Sequence, residues 1–246
     1  RRKFVRERFG FPESQCFVSA EELASVPKFA DVVINGTMDE IHVETSIPVL
    51  EKGYDMLLEK PFAVNEEELD RLVEVVNRNG NKVMICHVLR YNPVYLNIKN
   101  SIISGEIGDV INIQTVEDVS YHHLSTSYVR GKWANSKKCH TSMLLAKCCH
   151  DLDLMMWLMG DDKPVSVSSV GSRFHFRPEN APENSGTRCL VDCPRVDYCD
   201  YSAKRLYLDH PDSWEVYVWR DLEDIDNFTD VQRSEFLMIS EYGCCM

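Results

Sequence analysis

The fold of this 246-residue chain is decided by residues 31–61, which read DVVINGTMDEIHVETSIPVLEKGYDMLLEKP. Residues 31–35 are a short β-branched run that is apolar on both faces, which is typical of a strand buried in a parallel sheet. A helix is predicted next, because apolar residues recur every three or four positions until Gly53 ends the pattern. Residues 54–58 form the following strand. Strand, helix and strand in this order predict a parallel unit.

Signals of the same kind extend to both sides of this stretch. Residues 1–10 predict the end of an amphipathic helix, and residues 82–86 predict a further strand after a helix that Gly80 ends. Two helix starts carry the capping-box spacing, in which a polar cap is followed three residues later by glutamate: Ser19 with Glu22, and Asn65 with Glu68. Residues 1–87 are therefore predicted to be an α/β domain with a parallel sheet.

The pattern changes after residue 88. A helix is predicted over 94–104, and residues 110–119 and 165–176 alternate between apolar and polar positions, as in a sheet with one exposed face. An amphipathic helix lies between these runs, with Leu152 predicted to face the core. Residues 88–246 are therefore predicted to be an α+β domain with an open, mainly antiparallel sheet, and a cysteine-rich insert at about 178–208.

The bulk composition excludes several classes of partner. The formal net charge of -12 argues against nucleic acid and anionic membranes, because both need a basic surface. The sequence has neither an apolar run of membrane-spanning length nor a signal peptide at its start, so a cytoplasmic protein is predicted. Ten cysteines permit disulfides, but without a secretory signal we expect reduced thiols or a metal site.

Three short motifs have residues suited to chemistry. Lys60 follows a predicted strand, at the edge where α/β sheets bind ligands, and a partly desolvated lysine there can polarise a hydroxyl group; alternatively, it is a surface lysine at a turn. Residues 37–42 follow the preceding strand and can cap a helix, contact a cofactor, or do both. His150 and Asp153 share one helix face, where the imidazole can take a hydroxyl proton; alternatively, both residues cap the helix.

Together, in this order, the motifs resemble the Gfo/Idh/MocA oxidoreductases, a family that includes glucose-fructose oxidoreductase and inositol dehydrogenase. The family pattern has a T-P-x-x-x-H loop, then E-K-P, then a helix that begins H-x-x-D and ends W-x-x-G. The matching residues here are 37–42, 59–61, 150–153 and 157–160. Residues 90–93 and 104–108 resemble the segment that joins the two domains of the family. The resemblance covers residues 1–178.

The resemblance implies an incomplete Rossmann domain at 1–87 and a substrate-binding and oligomerisation domain at 88–246. It implies hydride transfer between NAD or NADP and a secondary alcohol of a sugar, inositol or related polyol. Lys60, His150 and Asp153 would be the catalytic residues. The residues along the cofactor would be Thr37, His42, Glu59, Lys60, Pro61 and Arg90. The resemblance also implies a homo-oligomer formed through the sheet of the second domain.

The chain departs from the family pattern in three places. Met38 stands where proline is usual, and Ala146 stands where many members have a catalytic aspartate, with Lys147 as a candidate substitute. The printed sequence has no G-x-G-x-x-G phosphate-binding loop. We therefore expect a chain truncated at both ends, which by itself binds the cofactor poorly and is inactive. A relative that binds a nucleotide or sugar without catalysis is the alternative.

The cysteine-rich insert has a possible zinc site. Cys189, Cys193 and Cys199 lie within eleven positions, and three thiolates could bind zinc, with Asp192, His175, Cys149 or water as the fourth ligand. Three free cysteines are the alternative. If the metal is present, the insert could be an interaction module. The adjacent pair Cys148 and Cys149 could supply a thiol nucleophile, but is better explained as buried packing.

Overall fold

The computed structural model describes residues 2–131, 133–210, 218 and 229–245. Two compact units are present. One comprises Ser14–Glu117 and Cys139–Val167, and the other comprises Arg1–Glu13, Asp118–Lys138 and Ser168–Met246. This grouping differs from the boundary predicted after residue 87, which stays a prediction for the whole protein. The chain ends, Arg1 and Met246, lie outside the described residues.

Ten α-helices are found in the described ranges. They are α1 (Arg2–Phe9), α2 (Ala20–Ser25), α3 (His42–Glu51), α4 (Glu66–Asn79), α5 (Pro93–Ile103), α6 (Tyr121–Leu124), α7 (Ser136–Cys139), α8 (Met143–Ala146), α9 (Cys149–Met159) and α10 (Asp230–Ile239). A short 3₁₀ helix, Val88–Tyr91, precedes α5. Within these ranges, no helix has both the length and the apolar character needed to cross a bilayer.

Three parallel strands form one sheet in the order β1-β2-β3. They are β1 (Val32–Asn35), β2 (Asp55–Leu58) and β3 (Val83–Ile85). The predicted parallel sheet is confirmed for these strands. The central strand β2 has Met56 and Leu58 fully inside the core, together with Tyr54 at its start. These three side chains share one face of β2, which is fully covered, while Asp55 and Leu57 on the opposite face are partly buried.

The prediction that residues 31–35 are buried on both faces is wrong. The strand β1 lies at the edge of the described sheet, and Val32 and Ile34 are 53% and 71% exposed. Val33, whose side chain points to the opposite face, packs against the core. The two faces differ because successive side chains of a strand alternate, and the described residues cover only one of the faces.

The predicted helix starts are confirmed by their capping hydrogen bonds. The side chains of Ser19 and Asn65 accept hydrogen bonds from the backbone N–H groups of Glu22 and Glu68, at 3.2 and 2.8 Å. The glutamate carboxylates accept from the residue just before each cap. Gly80 ends α4 with φ at 71°, in the left-handed region that glycine adopts without strain. These local interactions fix where α2 and α4 begin.

The helix α9 has a different buried face from the one predicted. Leu154 and Leu158 are buried, whereas Leu152, which was predicted to face the core, is 50% exposed. The side chains of His150 and Asp153 lie on the inner side, because their partners are on the loops that follow the strands. Polar contacts across the unit therefore determine the orientation of this helix, and its apolar spacing alone does not.

The predicted open antiparallel sheet is not seen in the described residues. Residues 110–119 and 165–176 contain no strand, and Ile111, Val165 and Val170 are 90%, 100% and 99% exposed. Alternating apolar residues favour a strand only when a neighbouring strand supplies hydrogen bonds and a covered face. Neither run has such a neighbour within the ranges that the structure describes.

Candidate active site

The residues that follow the three strands meet at one edge of the sheet. The backbone N–H of Glu59, just after β2, donates to the carbonyl of Asn35 at the end of β1, at 2.9 Å. The backbone N–H of Cys86, just after β3, donates to the carbonyl of Leu58 at 2.8 Å. The carboxyl ends of parallel strands are where α/β sheets bind ligands. This edge therefore holds the side chains from which a site can be built.

Lys60 is directed from this edge toward the segment before α9. Its Nζ donates a hydrogen bond of 2.8 Å to the backbone carbonyl of Ala146, which is itself buried. The carbonyl thus binds the ammonium group at the position where many members of the resembled family have aspartate. Lys147, the candidate substitute, instead pairs with Glu117 at 2.8 Å. An ammonium group has three N–H donors, so Lys60 retains donors for a ligand.

His150 lies half-buried near the start of α9. Burial lowers its pKa below the ordinary value, and the positive charge of Lys60 lowers the pKa further. The imidazole is therefore neutral at physiological pH and able to accept a proton. Its Nδ1 atom is buried and has no hydrogen-bond partner in the described part of the chain. The other nitrogen, Nε2, is left as the one that can receive a proton from a ligand.

Asp153 and Arg90 are joined by a two-pronged ion pair. The Nε and NH2 groups of Arg90 donate to the two carboxylate oxygens of Asp153, at 2.8 and 2.5 Å. This hydrogen bonding raises the pKa of Arg90, and the side chain of Asp153 is only 10% exposed. The guanidinium group also lies 5.9 Å from the ring centre of Trp157. The structure therefore places two predicted site residues in direct contact with each other.

His87 is a residue of this cluster that sequence reasoning missed. Its Nε2 atom lies 3.6 Å from a carboxylate oxygen of Asp153. Its ring lies edge-to-face with the ring of His150, and the two ring centres are 6.0 Å apart. Burial lowers the pKa of His87, so this imidazole is also neutral at physiological pH. Its position was the available signal, because His87 follows β3 just as Lys60 follows β2.

Thr37 lines a cavity of about 590 Å³ beside β1. Its hydroxyl group donates to the side-chain carbonyl of Asn35 at 2.8 Å and lies 3.1 Å from the hydroxyl oxygen of Thr45. The walls of the cavity are mainly apolar, with these three polar side chains among them. Apolar walls with a few polar groups are usual in cofactor sites. Contact between Thr37 and a cofactor stays a prediction.

His42 and Pro61 are tied to each other in the core. The ring nitrogens of His42 lie 2.7 Å from the carbonyl oxygen of Pro61 and 2.8 Å from that of Thr37. The side chain is 1% exposed, so it holds together the loops that follow β1 and β2. His42 was predicted to lie along the cofactor. Its burial and its two contacts fit a residue that positions these loops, and its place along the cofactor stays a prediction.

Substitution of His42 tests this positioning role. His42→Leu removes both contacts and leaves the buried carbonyl of Pro61 without that partner, which costs about 1–3 kcal/mol in addition to the lost packing. We expect the free energy of unfolding to fall by about 2–4 kcal/mol in urea titrations followed by circular dichroism. The exposed neighbour Glu44 is the control, and Glu44→Gln should stay within about 0.5 kcal/mol of the parent protein. Equal urea midpoints for all three proteins would contradict the role.

The zinc site predicted in the insert is not formed by the described residues, where no group of three or more histidine, cysteine, aspartate or glutamate side chains is arranged to hold a metal ion. The thiol of Cys189 is buried in the core of its unit instead. Its sulfur accepts from the backbone N–H of Ala203 at 3.4 Å and from Arg130 at 3.7 Å. Cys193 and Cys199 are partly exposed and free. Packing of Cys189 with apolar side chains thus replaces the metal coordination that its spacing indicated.

Family models match most of the chain. A model described as oxidoreductase family, NAD-binding Rossmann fold, matches residues 1–87. A model described as GFO/IDH/MocA C-terminal domain matches residues 95–193. Together they cover more than half of the chain, and their gap falls close to the predicted domain boundary.

The individual proteins that match this chain have low sequence identity to it. The putative oxidoreductase YteT of Bacillus subtilis is 26% identical over 206 residues, which are 77% of this chain and 47% of that protein. An inositol 2-dehydrogenase of Salmonella typhimurium is 29% identical over 142 residues, 57% of this chain and 39% of that protein. The crystal structure of an NAD binding oxidoreductase from Klebsiella pneumoniae has a TM-score of 0.56 and 21% identity, and the match covers 64% of this chain and 41% of that one. The last likeness shows the fold alone, and the chain spans less than half the length of each of these proteins.

Proposed function

Because this chain belongs to the Gfo/Idh/MocA oxidoreductase family, we propose that the whole protein transfers hydride between a nicotinamide cofactor and a secondary alcohol. The proposed substrate is a sugar, inositol or related polyol, and the proposed cofactor is NAD or NADP. The NAD-binding Rossmann domain at residues 1–87 supports the cofactor class. The similarity to an inositol 2-dehydrogenase supports the substrate class.

One observation carries the proposal: Lys60 and His150 lie within electrostatic reach of each other in the same unit. The hydrogen bond from Lys60 to Ala146 ends only four positions before His150. A proton donor and a neutral proton acceptor held close together are what alcohol oxidation requires. The loop after β2 and the segment before α9, which are distant in sequence, supply the two groups.

The proposed reaction follows from these two groups. Oxidation removes a hydride from the carbon and a proton from the hydroxyl of the substrate, which leaves a ketone; the nicotinamide, when bound, accepts the hydride. The Nε2 atom of His150 takes the proton. The ammonium group of Lys60 donates a hydrogen bond to the substrate oxygen and stabilises the negative charge that develops there. Asp153, held by Arg90, is the third catalytic residue that we propose.

The proposed cofactor residues divide into two groups. Thr37, Glu59 and Lys60 lie at the edge of the sheet and would contact the cofactor directly. His42 and Pro61 are tied together beneath that edge and would hold the loops in place. Arg90 would act through Asp153, because its guanidinium group is already committed to that carboxylate. This division leaves the six predicted residues in one functional region with different tasks.

We also propose that the whole protein has a second domain over residues 88–246, with an open sheet through which subunits associate. The match of the C-terminal family model to residues 95–193 supports this division. Residues 110–119 and 165–176 are the candidate strands. Their apolar side chains are exposed in this structure, as expected of strands that need a partner.

The proposed function is tested by following the absorbance of reduced nicotinamide with the whole protein. NAD or NADP is mixed with a panel of sugars and polyols that includes myo-inositol. We expect reduction of one cofactor with at least one polyol, and no reduction when the substrate is omitted. A protein that binds the cofactor but turns over no member of the panel in either direction would instead favour the non-catalytic alternative.

A further inference from the structure

His87 occupies the space between two residues of the proposed catalytic set. Its Nε2 atom lies 3.6 Å from the Oδ1 atom of Asp153, and its ring is inclined by 81° to that of His150, with centres 6.0 Å apart. On another side of the His87 ring, the ring of Phe62 packs edge-to-face, with the two ring centres 6.5 Å apart. The side chain is 13% exposed. A ring in contact on these sides has one preferred orientation.

A series of contacts therefore leads from Arg90 to His150. Arg90 fixes the carboxylate of Asp153 through two hydrogen bonds. That carboxylate attracts the Nε2–H of His87, which favours the tautomer with the proton on Nε2. The plane of His87 in turn sets the plane of His150 through the edge-to-face contact. No hydrogen bond joins Asp153 to the ring of His150 in the described residues.

We propose that His87 is a positioning residue, through which the Asp153 and Arg90 pair orients the proton-accepting ring of His150. This proposal rests on the proposed function, because it gives His150 the role of proton acceptor. The proposal adds His87 to the site and changes the role of Asp153, which acts on His150 through His87 and without direct contact. An enzyme that lacks the usual aspartate at Ala146 can in this way keep a carboxylate connected to its catalytic imidazole.

The first test is a double-mutant cycle in the whole protein with myo-inositol or the polyol that it turns over. His87→Phe keeps a ring of similar size and so retains the packing, while Asp153→Asn removes the charge. If Asp153 acts through His87, Asp153→Asn lowers kcat at least about tenfold in the parent protein but less than about threefold in His87→Phe. Equal effects of Asp153→Asn in both backgrounds would overturn the proposal. His210→Phe, at an exposed histidine of the other unit, is the control.

The second test does not depend on activity. The charged groups that affect the pKa of His150 are Lys60 after β2, His87 after β3, and Lys147 and Asp153 on either side of it in sequence. The charge that His87 carries when protonated lowers the pKa of His150, so His87→Phe should raise that pKa. Nitrogen-detected NMR titration of the imidazoles in the 246-residue chain measures this directly. An unchanged pKa and unchanged ring signals for His150 would overturn the proposal. A parent protein inactive on the whole panel would instead sink the proposed function, and the NMR result would still decide the role of His87.

Discussion

Lys60→Met is expected to lower kcat of the whole protein by about a thousandfold, because the loss of one hydrogen-bond donor to a developing oxyanion typically lowers kcat by about 10²–10³-fold. Methionine retains most of the length of the side chain and loses the charge and the three N–H donors. The affinity for the substrate should change much less than kcat, since the charge on the oxygen develops only in the transition state. Initial rates over a range of polyol concentrations separate the two effects.

The control for this variant is Lys82→Met, at an exposed lysine just before β3. Lys82 takes part in the sheet through its backbone only, so its side chain can be removed without disturbing the fold. We expect Lys82→Met to retain the parent kcat within about twofold, in keeping with the small effects of surface substitutions. Full activity in Lys60→Met would remove Lys60 from the catalytic set.

His150→Gln should lower both kcat and kcat/KM by about 10²–10⁴-fold, the range that a general base contributes. Glutamine is polar and similar in size, but it cannot accept the proton at physiological pH. In the parent protein, kcat/KM should fall as the pH drops through the pKa of His150, since only the neutral imidazole is a base. Burial and the charge of Lys60 place that pKa below the ordinary value, so the fall should occur at acidic pH.

The pH profile of His150→Gln distinguishes a base from a structural residue. The acid limb that belongs to His150 should be absent from the profile of the variant, while the unfolding midpoint stays close to that of the parent protein. His210→Gln, at an exposed histidine, is the matched control and should keep both the rate and the profile. A variant with a low rate but an unchanged acid limb would show that another group takes the proton.

The first 87 residues were predictable because their signals are local. Ser19 and Asn65 cap the helices that their spacing predicted, and the strands begin and end within one or two residues of the predicted positions. Capping and hydrophobic spacing act over three or four residues, so a single sequence contains them in full. The positions of Lys60 and Thr37 after their strands followed from the same reasoning.

The contacts within the candidate site were less predictable because they join distant residues. Arg90 and Asp153 are 63 positions apart and could only be assigned separate roles from the sequence. The carbonyl of Ala146 binds Lys60 through the backbone, so the identity of residue 146 gave no sign of the contact. His87 could have been found by applying the strand-end argument to every strand, rather than only to those that carried a family motif.

Two failures came from patterns that have more than one outcome. Cysteines at short spacing fit a metal site, a disulfide or simple packing, and Cys189 is packed in a core with Tyr207 and Leu237. Alternating residues predict a strand only where a neighbour completes the sheet, as the exposed positions at Val165 and Val170 show. In both cases the missing information is which partner lies across from the residue, which composition and spacing do not contain.

The central claim is that Lys60 and His150 act on the same hydroxyl group, and the double variant Lys60→Met/His150→Gln tests it most directly. When two groups serve the same step, the effects of their substitutions on the rate are strongly non-additive. The double variant should therefore have a kcat within about tenfold of the slower single variant. A kcat reduced by the product of the two single effects, about 10⁵-fold or more, would mean that the two residues act independently. That result would contradict a shared site.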